Sequence, residues 1–171
     1  MVTNDQRTQI RSYLVNQGAK WPVAEIGSRV LAAYDELAGA MEGPLTPAQL
    51  TFRPGPEEWS IVEVLSHCLA SNAGTCRVAQ SLAAGKDPER GEDKARTVTA
   101  KDEMPALIAE SRDQVLRVVR EFPENADLER TSEHPFFGPL NSKAWLLFLR
   151  VHTLDHANQI KSVRAHPRFP R

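Results

Sequence analysis

The sequence predicts an all-α protein: a single-domain four-helix bundle with a short extra helix at its N-terminus. Three observations carry this expectation. Apolar residues recur at three-and-four spacing through four separate segments of roughly 20 to 25 residues each, the period of an amphipathic helix. No stretch shows a convincing alternation of apolar and polar residues, as a half-buried strand does. The 171 residues, 41% hydrophobic and 25% charged, have the balance of an ordinary globular domain with one core. Helices that each carry one apolar stripe bury those stripes against one another, and four such helices do so as a bundle.

From the N-terminus, TNDQRTQIRSYLVNQG reads as a helix ending at Gly18, and KWP separates it from the next helix. Residues 1–20 are therefore an N-terminal helical extension and residues 21–171 the bundle. The first bundle helix spans residues 23–42, with Ile26, Val30, Leu31, Tyr34, Leu37, Ala38 and Met41 on one stripe. GPLTPAQLTFRPGPEEW, rich in proline and glycine, is a loop with at most one short turn around TPAQL. SIVE at residues 60–63 is a capping box, and the helix it opens runs to about Gly85, where glycine permits a left-handed cap.

The stretch KDPERGEDKARTVTA is charged and turn-rich, a solvated connection. KDEMPALIAESRDQVLRVVREF is the third bundle helix, with Asp102 near its cap, Pro105 in its first turn, and a stripe of Leu107, Ile108, Ser111, Val115, Val119 and Phe122. After a second long connection, PENADLERTSEHPFFGPLN, the last helix is opened by Asn141 or Ser142 and closes near Pro167. Long connections before and after the third helix allow crossovers that a simple up-down order does not need.

The charge balance, 21 basic against 22 acidic residues spread along the chain, gives no field favouring nucleic acid or an anionic membrane, so neither is expected as a partner. No apolar run approaches the roughly 18 residues that span a bilayer, and the N-terminus is too polar for a signal peptide. A cytoplasmic protein is expected. Cys68 and Cys76, if both on one helix, lie about 12 Å apart along its axis, too far for a disulfide. Two buried, inert thiols are the expectation.

Three histidines carry the candidate chemistry. His152 and His156 are four residues apart, so they project within roughly 40° of each other, on the side of Trp145, Phe148, Leu149 and Val163. Two imidazoles one turn apart can reach a single ion at roughly 2.0 to 2.1 Å, or they can be hydrogen-bonded core residues. His67, at the edge of the stripe of Ile61, Val64, Leu65, Cys68 and Ala79, offers a third imidazole from a facing helix. Three protein nitrogens leave a coordination position open, as catalytic centres do. HTLDH has Thr153 where a zinc peptidase requires its glutamate base, so hydrolysis by that mechanism is excluded.

Other residues take secondary roles. His134 in the loop before the last helix can approach the open end of the site or stay solvated, and Glu63 either orients His67 or serves only its cap. Asp155 and Gln159 flank the histidine face, where each holds a ligand or water or serves the surface. Trp59 and Trp145 read as core anchors, with the lining of a substrate pocket as the alternative, and His166 and Arg168 read as solvated.

The strings TFRPGPEEWSIVEVLSHCLA and HPFFGPLNSKAWLLFLRVHTLDHANQI resemble the DinB-like (DinB/YfiT) superfamily of bacterial metal-dependent enzymes, from about residue 23 to residue 165. The resemblance implies helices in up-down-down-up order and a divalent metal, nickel or zinc most often, held by three histidines that match His67, His152 and His156. Relatives that the chain resembles include transferases and isomerases that use low-molecular-weight thiols such as bacillithiol or mycothiol, so the resemblance leaves the reaction open. A thiol-dependent S-transferase joining such a thiol to an electrophile is the expected enzyme, a metal-dependent hydrolase the other class, and a homodimer the expected assembly. The resemblance assigns no catalytic residue beyond the ligands. The competing reading is a non-catalytic metal- or ligand-binding stress-response module.

Overall fold

The structure, a computed structural model, describes residues 3–88 and 103–171. Among the described residues, six helices and one hairpin are arranged in the order α1 Asn4–Lys20, α2 Val23–Ala40, α3 Pro47–Leu50, α4 Ile61–Ala83, α5 Met104–Glu121, β1 Thr131–His134, β2 Gly138–Asn141 and α6 Ser142–Arg164. The expected all-α bundle is formed by α2, α4, α5 and α6. Most of the charged stretch, from residue 89 on, and Asp102 lie outside the described residues.

Side-chain pairings fix the helix directions. Lys161 meets Glu36 at 2.6 Å and Arg164 donates to the Ala40 carbonyl, while Lys143 donates to the Trp21 carbonyl ahead of α2, so α2 and α6 run parallel. His67 faces His156 and Asn72 faces Thr153, so α4 runs against α6. Arg112 pairs with Asp35 while Val119 abuts Gly27, so α5 runs against α2. Helices α4 and α5 are therefore parallel, which is the up-down-down-up order.

Each start signal acts locally as the sequence implies. Glu63 accepts from the Ser60 amide at 2.9 Å and from its hydroxyl at 2.7 Å, closing the capping box of α4. Asn141 caps α6 by accepting the Ala144 amide at 3.0 Å. Thr46 and Gln49 form a second capping box on the one-turn α3 inside the proline-rich loop. At the end of α4, Gly85 takes a φ of +72°, the left-handed cap.

Three local expectations are corrected. Helix α1 runs through Gly18 to Lys20, and Gly18 is buried. It serves helix packing rather than helix termination, because a Cβ there would lie 3.2 Å from the Ala144 backbone nitrogen of α6. Gly18→Val should therefore destabilise the protein by about 1 to 3 kcal/mol through overpacking against a backbone that cannot give way. Urea unfolding of the two proteins checks this, and an unchanged midpoint would show that α1 shifts at little cost.

The stripes of α2 and α5 are rotated from their expected positions. On α2, Ala33 and Ala40 are buried whereas Ala38 is exposed, and on α5 the buried set is Met104, Ile108, Ser111, Val115 and Val118. The α5 set repeats every 3.5 residues on average, the spacing that keeps a seam on its neighbours in a near-parallel bundle.

The third correction is the hairpin, in a stretch expected to be a loop. Strands β1 and β2 pair antiparallel from Thr131 opposite Asn141 to His134 opposite Gly138. Four-residue strands containing Pro139 and Gly138 carry no alternating pattern, and the pair is held by tertiary contacts instead. Leu140 is fully buried, and Trp145 of α6 donates its indole N–H to the Ser132 carbonyl at 3.3 Å.

Helix α6 is the centre of the molecule. Ala144 to Leu149 are buried without a break because α1, α2, α4 and the hairpin cover α6 on different sides. Each fully buried leucine among them contributes about 2 kcal/mol of apolar burial. Among the described residues, no helix is long and apolar enough to cross a membrane.

Candidate metal centre

His67 from α4 and His152 and His156 from α6 converge between the two antiparallel helices, each offering a ring nitrogen, and these three atoms all lie within 4.8 Å of one another. The ring centroids are 4.4 Å apart for His152 and His156, 5.0 Å for His67 and His156, and 5.5 Å for His67 and His152. The one-turn spacing on α6 supplies the first pair, and the α4 capping box sets the phase that turns His67 toward it.

The hydrogen bonds determine which nitrogens are available. His152 Nδ1 lies 2.9 Å from Asn72 Oδ1, and His156 Nδ1 lies 2.9 Å from Gln159 Oε1. An amide oxygen only accepts, so each Nδ1 carries the hydrogen and a neutral ring presents a bare lone pair at Nε2. The two Nε2 atoms face each other at 3.0 Å. With both Nδ1 hydrogens committed to these oxygens, two bare lone pairs at that distance would repel unless a positive centre, a proton or an ion, lay between them. The third imidazole converging on the same point fits an ion: three neutral nitrogen donors suit zinc or nickel.

Burial reinforces this. Desolvation first, then the neighbouring His156, His67 and His134, lower the His152 pKa to about 3. Burial, then His156, also lowers that of His67. Imidazoles that resist protonation keep their lone pairs for a ligand at neutral pH.

Asn72 is the residue sequence reasoning missed. Fully buried, its Nδ2 donates to Tyr34 Oη and to Thr153 Oγ1, both at 2.9 Å, which directs Oδ1 at His152. Tyr34 Oη lies 2.7 Å from Ser111 Oγ, so one polar network joins all four bundle helices. Burial pushes the Tyr34 hydroxyl's pKa above its ordinary value, keeping it neutral. The signal was present: Asn72 falls on the apolar stripe of α4 between Cys68 and Cys76, and a polar residue there needs a partner. Thr153, which ruled out the peptidase motif, is one of those partners.

The other candidates divide. Gln159 orients His156, while Asp155 is exposed at the edge of the large cavity beside the cluster. Glu63 is engaged by Ser60 and Arg53, which lower its pKa, and serves the cap. Cys68 and Cys76 are buried, and desolvation pushes both thiols up to about 12. His166 is half-buried with its ring centroid 5.6 Å from that of Phe52, and Arg168 donates to the Pro54 carbonyl, so neither is simply solvated.

Trp59 is not a core anchor. It is 38% exposed and covers the centre from outside, its ring 4.8 Å from His67 and 6.5 Å from His156. Trp145 is buried as expected.

His134 is neither solvated nor a fourth member of the cluster. The hairpin buries it against Phe148 at 4.5 Å and Phe137 at 4.7 Å. Its Nδ1 accepts the Phe136 amide at 3.2 Å, so Nε2 carries the hydrogen of the neutral ring. Burial lowers its pKa to about 4. Because the folded-state pKa lies below the unfolded value of 6.5, its stabilising contribution is complete above about pH 6.5 and is lost as pH falls toward 4. The loss should reach about 2 kcal/mol, allowing for the part of the ring open to the cavity. Urea unfolding of metal-free protein at pH 7.5 and 4.5 reads it. His134→Phe should reduce the dependence by about that amount, leaving the part that His152 and His67 contribute by the same sign, and an unchanged slope would assign it to them.

All three clustered histidines and His134 line one cavity of about 920 Å³, bounded by α1, α4, α6 and the hairpin. A smaller cavity of about 400 Å³ lies against Trp59 and Gln159.

A DinB superfamily profile matches residues 28–160, which include most of the bundle and all three histidines. The chain belongs to the DinB superfamily. It is similar to the uncharacterized protein YuaE of Bacillus subtilis (strain 168), with 27% identity over 153 residues, covering 78% of this chain and 91% of that one. The fold of this DinB chain is also that of TT2238, a four-helix bundle protein known from a crystal structure. The TM-score is 0.63 at 24% identity, covering 82% of this chain and 98% of the other.

Proposed function

We propose that this DinB-superfamily protein is a divalent-metal enzyme in which His67, His152 and His156 hold one nickel or zinc ion, and that it transfers a small-molecule thiol to an electrophile. The observation that carries this reading is the pair of Nε2 atoms 3.0 Å apart, each ring fixed by an amide oxygen, with a third imidazole converging on them. Bound there, a divalent ion supplies Lewis acidity that lowers the pKa of a thiol near neutral pH.

The chain's own residues do the rest. Asn72 and Gln159 hold two rings in the tautomer that exposes Nε2, Trp59 screens the outer face from water, and the cavity admits the reactants. The protein's two thiols are buried and held up at about 12, so neither offers a thiolate, and the thiol must be a small molecule.

The test loads purified protein with nickel or zinc, measures metal by elemental analysis, and screens monothiols against electrophiles. About one ion per chain is expected, with conjugation that a chelator abolishes. Stoichiometric metal with a flat screen, and a melting temperature that chelation lowers, would instead favour the non-catalytic binding module. Absence of metal after loading would overturn the reading altogether.

A further inference from the structure

The cavity is far larger than a metal centre needs, and its walls are chemically biased. One wall is aromatic: Phe137, Trp145 and Phe148 surround His134, with ring centroids 4.7, 5.0 and 4.5 Å from it. Phe136, at the hairpin turn, also lines the cavity and is 60% exposed, the largest exposure among the bulky hydrophobic residues described. Burial in the core does not account for it.

The lining charge is sorted by depth. Glu133, Asp155 and Arg77 are exposed, whereas Arg7 and Arg150 are half-buried, so the arginine and carboxylate groups withdrawn from water are the two cations. Arg7 Nε is buried without a hydrogen-bond partner among the described residues, and its guanidinium lies 5.4 Å from the Phe136 ring centroid. Arg150 is steadied by donating to Tyr13 Oη at 3.3 Å. His134 adds a fixed Nε2–H donor, because the Phe136 amide occupies its Nδ1.

We infer that the cavity receives an organic anion with a flat aromatic body, its ring against the hairpin aromatics and its charge drawn by Arg7 and Arg150. Aromatic walls favour a planar ring over an aliphatic one of similar size through stacked and edge-on contacts. A half-buried guanidinium favours a carboxylate over its neutral amide. As the electrophile of the proposed transfer, such a ligand would be presented to the histidine end of the same cavity, and to that extent the inference rests on the metal reading.

Binding to the full chain stripped of metal by a chelator tests the cavity by itself, using calorimetry with 2-naphthoate, 2-naphthamide and the saturated decahydro-2-naphthoate as probes. The expected result is that 2-naphthoate binds at least about tenfold more tightly than either of the others. Phe136→Ala, a change at an exposed residue that leaves the core untouched, should weaken naphthoate about tenfold, and Arg150→Gln or Arg7→Gln should erase the preference for the acid over the amide. No binding of naphthoate up to millimolar concentration, equal affinity for the three probes, or indifference to Phe136→Ala would each overturn the inference. Because these titrations contain no metal, their failure is distinct from failure of the three-histidine centre, which the metal analysis reads separately.

Discussion

His152→Ala should abolish stoichiometric metal binding. The expected result is a fall from about one ion per chain to a small residue, equivalent to a loss of affinity on the order of 100-fold or more. The size reflects position: the His152 ring centroid lies 4.4 Å from that of His156 and 5.5 Å from that of His67, and the ring is fixed by Asn72. Its removal leaves two donors on different helices, and two nitrogens do not hold a divalent ion against buffer. Elemental analysis after loading and desalting gives the answer, with His166→Ala as the control that should keep full content. A His152→Ala protein with full metal content would place the ion elsewhere and end the three-histidine assignment.

Asn72→Leu should have the second large effect, acting on stability and on the centre together. Leucine is close to asparagine in shape but leaves the Thr153 hydroxyl and His152 Nδ1 without their buried partner. A destabilisation of about 2 to 4 kcal/mol is expected, which for a chain of this size lowers the melting temperature by roughly 5 to 15 °C. Metal affinity should fall about 10- to 100-fold, because His152 is no longer held in the tautomer that exposes Nε2. Thr153→Val separates the two roles. It removes one bond of the same network without touching the imidazole, so it should cost about 1 to 2 kcal/mol while leaving metal affinity nearly unchanged. If both variants lost affinity in proportion to stability, Asn72 would be a structural residue only.

The two predictions differ in how visible their residues are in the sequence. His152 and His156 stand one turn apart on a helix, a spacing that places two rings on one face whatever the fold. His67 was legible because the capping box fixes where α4 begins and hence its phase. Asn72 was legible in principle, as a polar residue on an apolar stripe, but nothing in the sequence says that its network runs through Tyr34, Ser111 and Thr153. Those residues are 38 or more positions away, and only packing brings them together.

The sequence-based readings that needed correction share a cause. Gly18 looked like a helix end because glycine permits one, yet the close approach of α6 decides its role. Trp59 looked like a core anchor because tryptophan is large and apolar, yet the start of α4 leaves it outside the bundle against two imidazoles. The hairpin carried no period-two signal because its pairing is fixed by Trp145 and by the burial of Leu140 and His134, not by its own four-residue strands.

By itself, then, the sequence determined what depends on neighbours three or four residues apart: the helices, the capping boxes that start them, and the paired histidines of α6, while packing chose which faces of α2 and α5 are buried. Tertiary structure alone decided the wiring of Asn72, the burial and tautomer of His134, the outward place of Trp59 and the cavity that the hairpin closes. Local backbone geometry repeats with a fixed period and so can be read along the chain. Hydrogen-bond partners and cavity walls are set by which helix faces meet, and no short stretch of sequence encodes that meeting.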